Sequence, residues 1–426
     1  MKHHSRLDVD LSAIEHNLEV FRSPLDGGDP LRVCAVLKKD AYGLGAVAIA
    51  HRLQRAGVEM IAVYSPDEAR ELIESGITTT ILILMPVRSI SRADPLYWSA
   101  VNERLHLTVH DIDQIKTLTE TTESLGIRVR LHLELDTGIA RGGMSAEEAS
   151  SALQLIAAHP RLMLDGVYTH FACSRGDHAF TMKQHDRLHE WMESNRALIP
   201  SECLVHESNT FAYFRSGSLH GSMLRIGVGL LGYCGEELSD TNKCELVERE
   251  ELLKPCVRWV TSVVHVCTIK RGQTVGYGAL WRAKKKTRIA LLPVGYADGY
   301  PMGLTNKGVV RFETGDGGFV SAPVIGRVSM DQITVDVTDI PEEIVAVGSP
   351  VEVFSGDRDA PNSLGRLAPL SKRLIHEILC GMHPRVHRSH LSLTTALDEE
   401  PTVAVRVVTT RPGEHRGQSR GRARAV

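Results

Sequence analysis

Residues 104–135 read RLHLTVHDIDQIKTLTETTESLGIRVRLHLEL, and two periods alternate within them. RLHLTV (104–109) and RVRLHLEL (128–135) are short Leu/Val-rich runs, as expected of strands buried on both faces. Between them, HDIDQIKTLTETTESL (110–125) sets Ile112, Ile115 and Leu118 on one helical face. It stops at Gly126, a residue suited to closing a helix. A strand, a helix and a second strand in about 30 residues make one crossover unit.

The same alternation extends outward in both directions. Further strand candidates are RVCAVL (32–37), MIAVY (60–64), TILILM (80–85), MLDGVYTHF (163–171), CLVH (203–206) and MLRIGVGLL (223–231). PDEARELIES (66–75) carries Pro66 in its first turn and Gly76 past its end, and SAEEASSALQLIA (145–157) opens on Ser145 with Glu147 and Glu148, so both read as helices. Eight β-then-α units over about 230 residues predict an α/β fold with an N-terminal (β/α)8 TIM-type barrel. The competing architecture is an open doubly wound sheet, which the absence of a G-x-G-x-x-G after the first strand disfavours.

Beyond about residue 245 helical periodicity nearly vanishes. CVRWVTSVVHVCTI (256–269), TRIALLPVGY (287–296), VSAPVIGRV (320–328), ITVDV (333–337) and SPVEVFSG (349–356) are separated by Gly, Pro and Asp clusters. These runs predict a mostly antiparallel β domain, with one short helix near 362–380. The organisation read from the sequence is therefore a barrel over 1–245, a β domain over 246–392 and a tail over 393–426. The chain's first strand is free to pair with the C-terminal domain.

Composition narrows the function classes. A net charge of −3 leaves the whole chain without a nucleic-acid footprint. From Pro401 onward six Arg stand against one Glu, so this end is about +5 and residues 1–400 about −8. Such a basic, polar end cannot bury a core and reads as disordered. No run approaches the ~18 apolar residues of a membrane helix, and MKHHSRLDVD lacks an apolar signal core. Eight cysteines form no C-x-x-C pair, which argues against a zinc ribbon or a redox dithiol and makes a reducing cytoplasm the simplest location.

The chemistry starts at VLKKDAYGLG (36–45). Strand alternation sends Lys38 inward at a barrel mouth and Lys39 outward. A desolvated lysine has a lowered pKa and can form a Schiff base with an aldehyde. Two adjacent lysines alone could equally be a solvated strand end.

Their context is more specific. V-L-K-x-D-A-Y-G-x-G resembles the pyridoxal phosphate attachment segment of the alanine racemase family. The resemblance continues in the family's order through LDTGIARGG (135–143), YTHFA (168–172), NT (209–210), LRIGVGLLG (224–232), VGYG (275–278), VGYADG (294–299), GRVSMD (326–331) and HEILCGMHPRV (376–386). It spans roughly residues 6–390.

The resemblance implies a role for each matched residue. Lys38 would bind the cofactor, pyridoxal 5'-phosphate, and act as one acid/base. Tyr277 would act from the opposite face, reaching the site of the other subunit in a homodimer with shared active sites. Arg225 would face the cofactor's ring nitrogen without protonating it, since its pKa exceeds about 12. Tyr42, Thr210, Gly227 and Val228 would hold the phosphate, and Asn209 and His170 would line the pocket. Arg141 would bind the substrate carboxylate, Met330 would touch the substrate through its backbone, and Tyr296 with Asp331 would narrow the mouth. The activity implied is the interconversion of L- and D-alanine, supplying D-alanine for peptidoglycan. No metal and no membrane is implied.

Two positions depart from the family pattern. Glu134 stands where many relatives have a carbamylated lysine, and its single negative charge suggests that it orients Arg141. His376 replaces the usual phosphate-binding tyrosine, and its imidazole predicts cofactor binding that weakens as pH rises through about 6.5. Lys39, Leu44 and Ser329 are smaller departures. Competing readings are a serine or broad-specificity racemase, a non-catalytic pyridoxal phosphate-binding barrel, and a decarboxylase on the same barrel type. Tyr277 in a second domain argues against the non-catalytic barrel, and no D-G-x-x-x cysteine-bearing motif supports the decarboxylase.

Overall fold

The computed structural model describes residues 5–23, 29–234 and 247–392. The expected domain boundary at 245 and the basic tail lie outside the described residues. Residues Met1–Ser392 group as one compact unit.

The chain opens with β1 (Ser5–Asp10), and Asp10 then caps the helix Leu11–Arg22 by accepting the amides of Ser12 and Ala13. Eight parallel strands follow: β2 (Arg32–Val36), β3 (Met60–Val63), β4 (Thr80–Ile83), β5 (Leu105–Val109), β6 (Val129–Glu134), β7 (Leu162–Tyr168), β8 (Leu204–Val205) and β9 (Met223–Ile226). They pair in the order β8-β7-β6-β5-β4-β3-β2-β9. Between β8 and β9 a bridge joins Asn209 to Arg225, and Ser222 exchanges hydrogen bonds with Val205, so the barrel is nearly closed.

Side-chain alternation separates two apolar sets. Val33, Ala35, Ile61, Val63, Ile81, Ile83, Leu105 and Leu107 pack into the main core. Cys34, Val36, Met60, Ala62, Leu82 and Met223 form a separate interior cluster. Each large apolar side chain contributes about 1.5–3 kcal/mol of burial.

The helices between strands end where their sequence signals fall. Pro66–Glu74 begins with a reciprocal Ser65–Glu68 capping box, Ile112–Leu125 ends at Gly126 with φ +72°, and Ala146–Ala158 is capped by Ser145.

Several strand readings are shortened, TILILM among them, which ends at Ile83. MLDGVYTHF pairs only to Tyr168, CLVH pairs over two residues, and MLRIGVGLL breaks at Gly227 into β9 and a 3-10 turn over Val228–Leu231. The break has a packing cause. A Cβ at Gly227 would overlap the Tyr42 hydroxyl, and one at Gly229 would press on the Phe21 ring.

The remaining strands are β10 (Val257–Ser262), β11 (His265–Ile269), β12 (Thr274–Val275), β13 (Trp281–Arg282), β14 (Thr287–Leu292), β15 (Val309–Glu313), β16 (Phe319–Ile325), β17 (Ile333–Asp336), β18 (Pro350–Phe354) and β19 (His387–Leu391). A nine-stranded sheet runs β11-β14-β17-β16-β15-β18-β10-β1-β19, antiparallel except for the β1–β19 pair. The first strand thus lies in this sheet, with Leu7 opposite Trp259 on one side and Arg388 on the other. β12 and β13 form a separate hairpin. Two short helices, Leu364–Ser371 and Ile375–Cys380, occupy the region where one was expected.

No helix among the described residues is long and apolar enough to cross a membrane. Among the described residues Cys34, Cys173, Cys203, Cys256, Cys267 and Cys380 are free thiols.

Candidate active site

At the C-terminal ends of the barrel strands lies a cavity of about 620 Å³. Eleven residues singled out from the sequence line it together: Lys38, Tyr42, Glu134, Arg141, His170, Asn209, Thr210, Arg225, Gly227, Val228 and His376. Tyr277, Tyr296, Met330 and Asp331 are not among that chain's cavity residues.

Lys38 sits at the mouth because the chain reverses directly after it. Lys39, Asp40, Ala41 and Tyr42 all have φ between 50° and 60°, a left-handed turn built without glycine. Each such residue costs about 1–2 kcal/mol, so surrounding contacts must hold it. The Glu68 carboxylate accepts the Lys39 amide at 2.7 Å, and Asp40 accepts the Ala46 amide at 2.6 Å. Gly43 follows at φ +82°, where a Cβ would press on the Leu379 carbonyl. The turn folds Tyr42 back so that its hydroxyl rests on Gly227. Burial lowers the pKa of Lys38, and the positive charges of Arg141 and Arg225 lower it further.

Arg225 is 5% exposed, which excludes a surface ion pair. Its guanidinium donates to the carbonyls of His206 and Thr169, and lies 3.1 Å from His206 Nδ1 and 3.3 Å from His170 Nδ1. It also stacks over the Tyr168 ring. A row of imidazoles continues beneath it, from His206 to His132 to His106, each 2.8 Å from the next. Gly166 leaves room for this row, since a Cβ there would overlap His132. Burial pushes His106 down to about 4 and His170 down to about 3, and lowers His132 and His206 as well.

Asn209 caps the helix Thr210–Arg215 by accepting the amides of Phe211 and Ala212, and Thr210 Oγ1 accepts the Gly229 amide at 3.3 Å. Tyr42, whose hydroxyl meets Gly227, and Thr210, bonded to Gly229, line the cavity together with Val228 and His376. Hydroxyls, an imidazole and a glycine flush with its neighbour make a cradle suited to a phosphate. Burial, and then the charges of Arg175 and Lys38, lower the pKa of His376, so by itself the ring is neutral at neutral pH.

The contacts of Glu134 also differ from expectation. Its carboxylate accepts the Tyr168 hydroxyl at 2.9 Å and pairs with His110 Nδ1 at 3.1 Å. Arg141 shows no side-chain hydrogen bond or ion pair among the described residues. Register explains this, because Glu134 on β6 lies directly opposite Tyr168 on β7. Arg141 lies beyond the turn that Asp136 closes by accepting the amides of Gly138, Ile139 and Ala140. His110 and Tyr168 were not singled out from the sequence. Strand parity was the available signal, since 106, 108 and 110 share one face, as do 132 and 134, and 166 and 168.

Burial alone would raise the Glu134 carboxyl, but its bonds to His110 and Tyr168 outweigh that and lower it. Burial likewise opposes the His110 charge, and Glu134 outweighs it, so His110 is raised. The raised imidazole stabilises the fold below its unfolded pKa, and that gain is lost as pH rises through the folded value. The depressed carboxyl stabilises above its unfolded pKa and loses that gain as pH falls through the folded one. Glu134→Gln should therefore lower the melting temperature more at about pH 6 than at about pH 9, read by calorimetry of both proteins. An equal difference at both values would remove the ion pair.

The second group of residues lies in the β domain. Tyr277 is 72% exposed, on the turn of the β12–β13 hairpin. The backbone holds Tyr296 beside Met330, with the Tyr296 amide donating to the Ser329 carbonyl and the Ala297 amide to the Met330 carbonyl, each at 3.0 Å. Asp331 shares Arg385 with buried Asp298.

Two arginines and a lysine against one carboxylate, set around a cradle at the mouth of a nearly closed barrel, suit a barrel enzyme acting on small anionic molecules. Known families agree. Residues 9–234 match the family described as alanine racemase, N-terminal domain, and residues 256–390 the alanine racemase C-terminal domain. An alanine racemase of Sorangium cellulosum is 33% identical over 394 residues, covering 90% of this chain and 98% of its own length. The alanine racemase structure from Streptomyces coelicolor A3(2) superposes with a TM-score of 0.77 at 26% identity, covering 91% of this chain and 98% of its own. The alanine racemase structure from Bartonella henselae, which has covalently bound pyridoxal phosphate, shares the fold with a TM-score of 0.71 at 23% identity, covering 91% and 99%. The chain belongs to the alanine racemase family.

Proposed function

We propose that this protein interconverts L- and D-alanine with pyridoxal 5'-phosphate in the barrel cavity, working as a homodimer whose sites are shared. The observation that carries this reading is the meeting of Lys38, Arg225 and the Tyr42–Thr210–Gly227 cradle in one cavity. When bound, the cofactor supplies an electron sink for the α-carbon. Lys38, with its lowered pKa, attaches it and carries a proton at one face of the substrate. Arg225 would face the ring nitrogen of the bound cofactor and keep that end of the cavity positive without giving up a proton. Tyr42, Thr210, the backbone at Gly227 and Val228, and His376 hold the phosphate, while Asn209 and His170 flank the ring. Arg141, exposed and without an ion pair among the described residues, offers a planar fork to the substrate carboxylate. Glu134 keeps His110 and Tyr168 in place beneath that pocket.

Tyr277 of a second copy carries the proton at the opposite face. Met330 and Tyr296 narrow the mouth from that side, with Asp331 fixed by Arg385. Small side chains are thereby favoured, and one methylene is worth about 1–3 kcal/mol of selectivity. Free thiols suit a cytoplasmic location, where D-alanine would feed peptidoglycan synthesis.

The test follows L-alanine and L-serine in deuterated water. Loss of optical rotation together with α-carbon exchange for alanine is expected, along with a visible band that borohydride abolishes. Faster turnover of serine would shift the reading to a serine or broad-specificity racemase. The visible band without exchange would mark a carrier.

A further inference from the structure

A second set of nitrogen and oxygen donors lies away from the catalytic cavity. The helix His178–Ser194 carries His185 and His189 one turn apart, so both imidazoles share a face. Opposite them stands Glu207, which is fully buried. His185 Nδ1 lies 3.0 Å from both carboxylate oxygens, and His189 Nε2 lies 3.1 Å from one of them. The two rings are 4.1 Å apart, and one donor atom from each of the three residues falls within 4.8 Å of the others.

Glu207 presents a problem of charge. Burying a carboxylate is costly unless a cation compensates it. Its hydrogen-bond and ion-pair partners among the described residues are these two imidazoles, with neither lysine nor arginine. The two imidazoles instead bring nitrogen donors to a carboxylate that a bound cation would neutralise.

We infer that His185, His189 and Glu207 form a binding site for a divalent transition metal of the zinc class, on the outer side of the barrel. Two imidazoles and one carboxylate suit zinc, cobalt or nickel, whereas magnesium and calcium prefer all-oxygen sets. Bonds of about 2.0–2.2 Å separate tetrahedral ligand atoms by roughly 3.4 Å, a few tenths beyond the spacings seen here. The His189 side chain is 45% exposed, which leaves a path for the ion and a water-facing coordination position.

The site has a structural consequence. Glu207 sits between His206 and Ser208, whose carbonyls accept the Arg225 guanidinium and the Arg225 amide. A bound ion therefore ties the helix His178–Ser194 to the segment that positions Arg225. None of the three ligands lines the catalytic cavity. The assignment stands apart from the racemase reading.

The test uses full-length protein with its cofactor in place, freed of metal by a chelator and titrated with Co²⁺ alone. Saturable d–d bands at one ion per chain are expected, displaced by Zn²⁺, with a melting temperature a few degrees higher when the site is filled. His189→Ala, at a half-exposed position, should weaken Co²⁺ binding more than about tenfold, since even loss of an outer partner costs that much. Glu207→Gln should do the same if it folds. The absence of saturable bands would overturn the assignment. So would bands that survive unchanged in His189→Ala, which would place the ion elsewhere, for instance on His3 and His4 near the N-terminus.

Discussion

Lys38→Ala is expected to lower racemisation in both directions by at least about 10⁴-fold, because it removes covalent attachment and a positioned base together. Burial and the two neighbouring arginine charges favour the neutral amine that both roles need. Among the described residues no other lysine lines the cavity, so none of them offers a second amine to replace it. Turnover of each enantiomer should be measured beside the visible spectrum. The variant should lose the borohydride-sensitive band and keep the wild-type circular dichroism, since Lys38 lies at a strand mouth outside both apolar clusters. Activity above about one per cent of wild type would show that another group carries the proton.

The barrel was legible because its strands are nearly continuous apolar runs with helical patterns between them. Every barrel strand falls inside a run picked out from the sequence except β7, which starts one residue earlier at Leu162. Where the runs overreach, the cause lies in tertiary packing. The residues of MLRIGVGLL are buried throughout, yet Tyr42 and Phe21 occupy the space beside Gly227 and Gly229 and end the strand there. Hydrophobicity reports burial and is silent on which backbone conformation is buried.

The left-handed turn after Lys38 could not be read at all. KDAY at 39–42 contains none of the glycines that announce positive φ, and the turn is held by Glu68, Asp40 and the neighbourhood of Leu379. The departures at 134 and 376 were visible as letters, but their partners were not. Glu134 meets Tyr168 and His110 through the registers of β6 with its neighbours β7 and β5, contacts that depend on how those strands pair. His185, His189 and Glu207 passed unnoticed for a related reason. The i, i+4 spacing of the histidines is local, but the carboxylate that gives it meaning arrives 18 residues beyond the second of them.

Mixing Lys38→Ala with Tyr277→Phe should restore activity that neither variant possesses. Tyr277 sits on an exposed hairpin turn and does not line the cavity of its own chain, so the proposed dimer must bring it to the neighbour's Lys38. Tyr277→Phe alone should cost about 10²- to 10⁴-fold, the range for one acid/base. It should also suppress proton exchange from one enantiomer more than from the other. Co-expression in equal amounts makes half of the dimers mixed, and each mixed dimer has one doubly damaged site and one intact site. Activity near about a quarter of wild type follows from that symmetry. If each tyrosine served the cavity of its own chain, every site in a mixed dimer would carry one lesion and nothing would be regained. A mixture no more active than its components would therefore sink the shared site while leaving the role of Lys38 untouched.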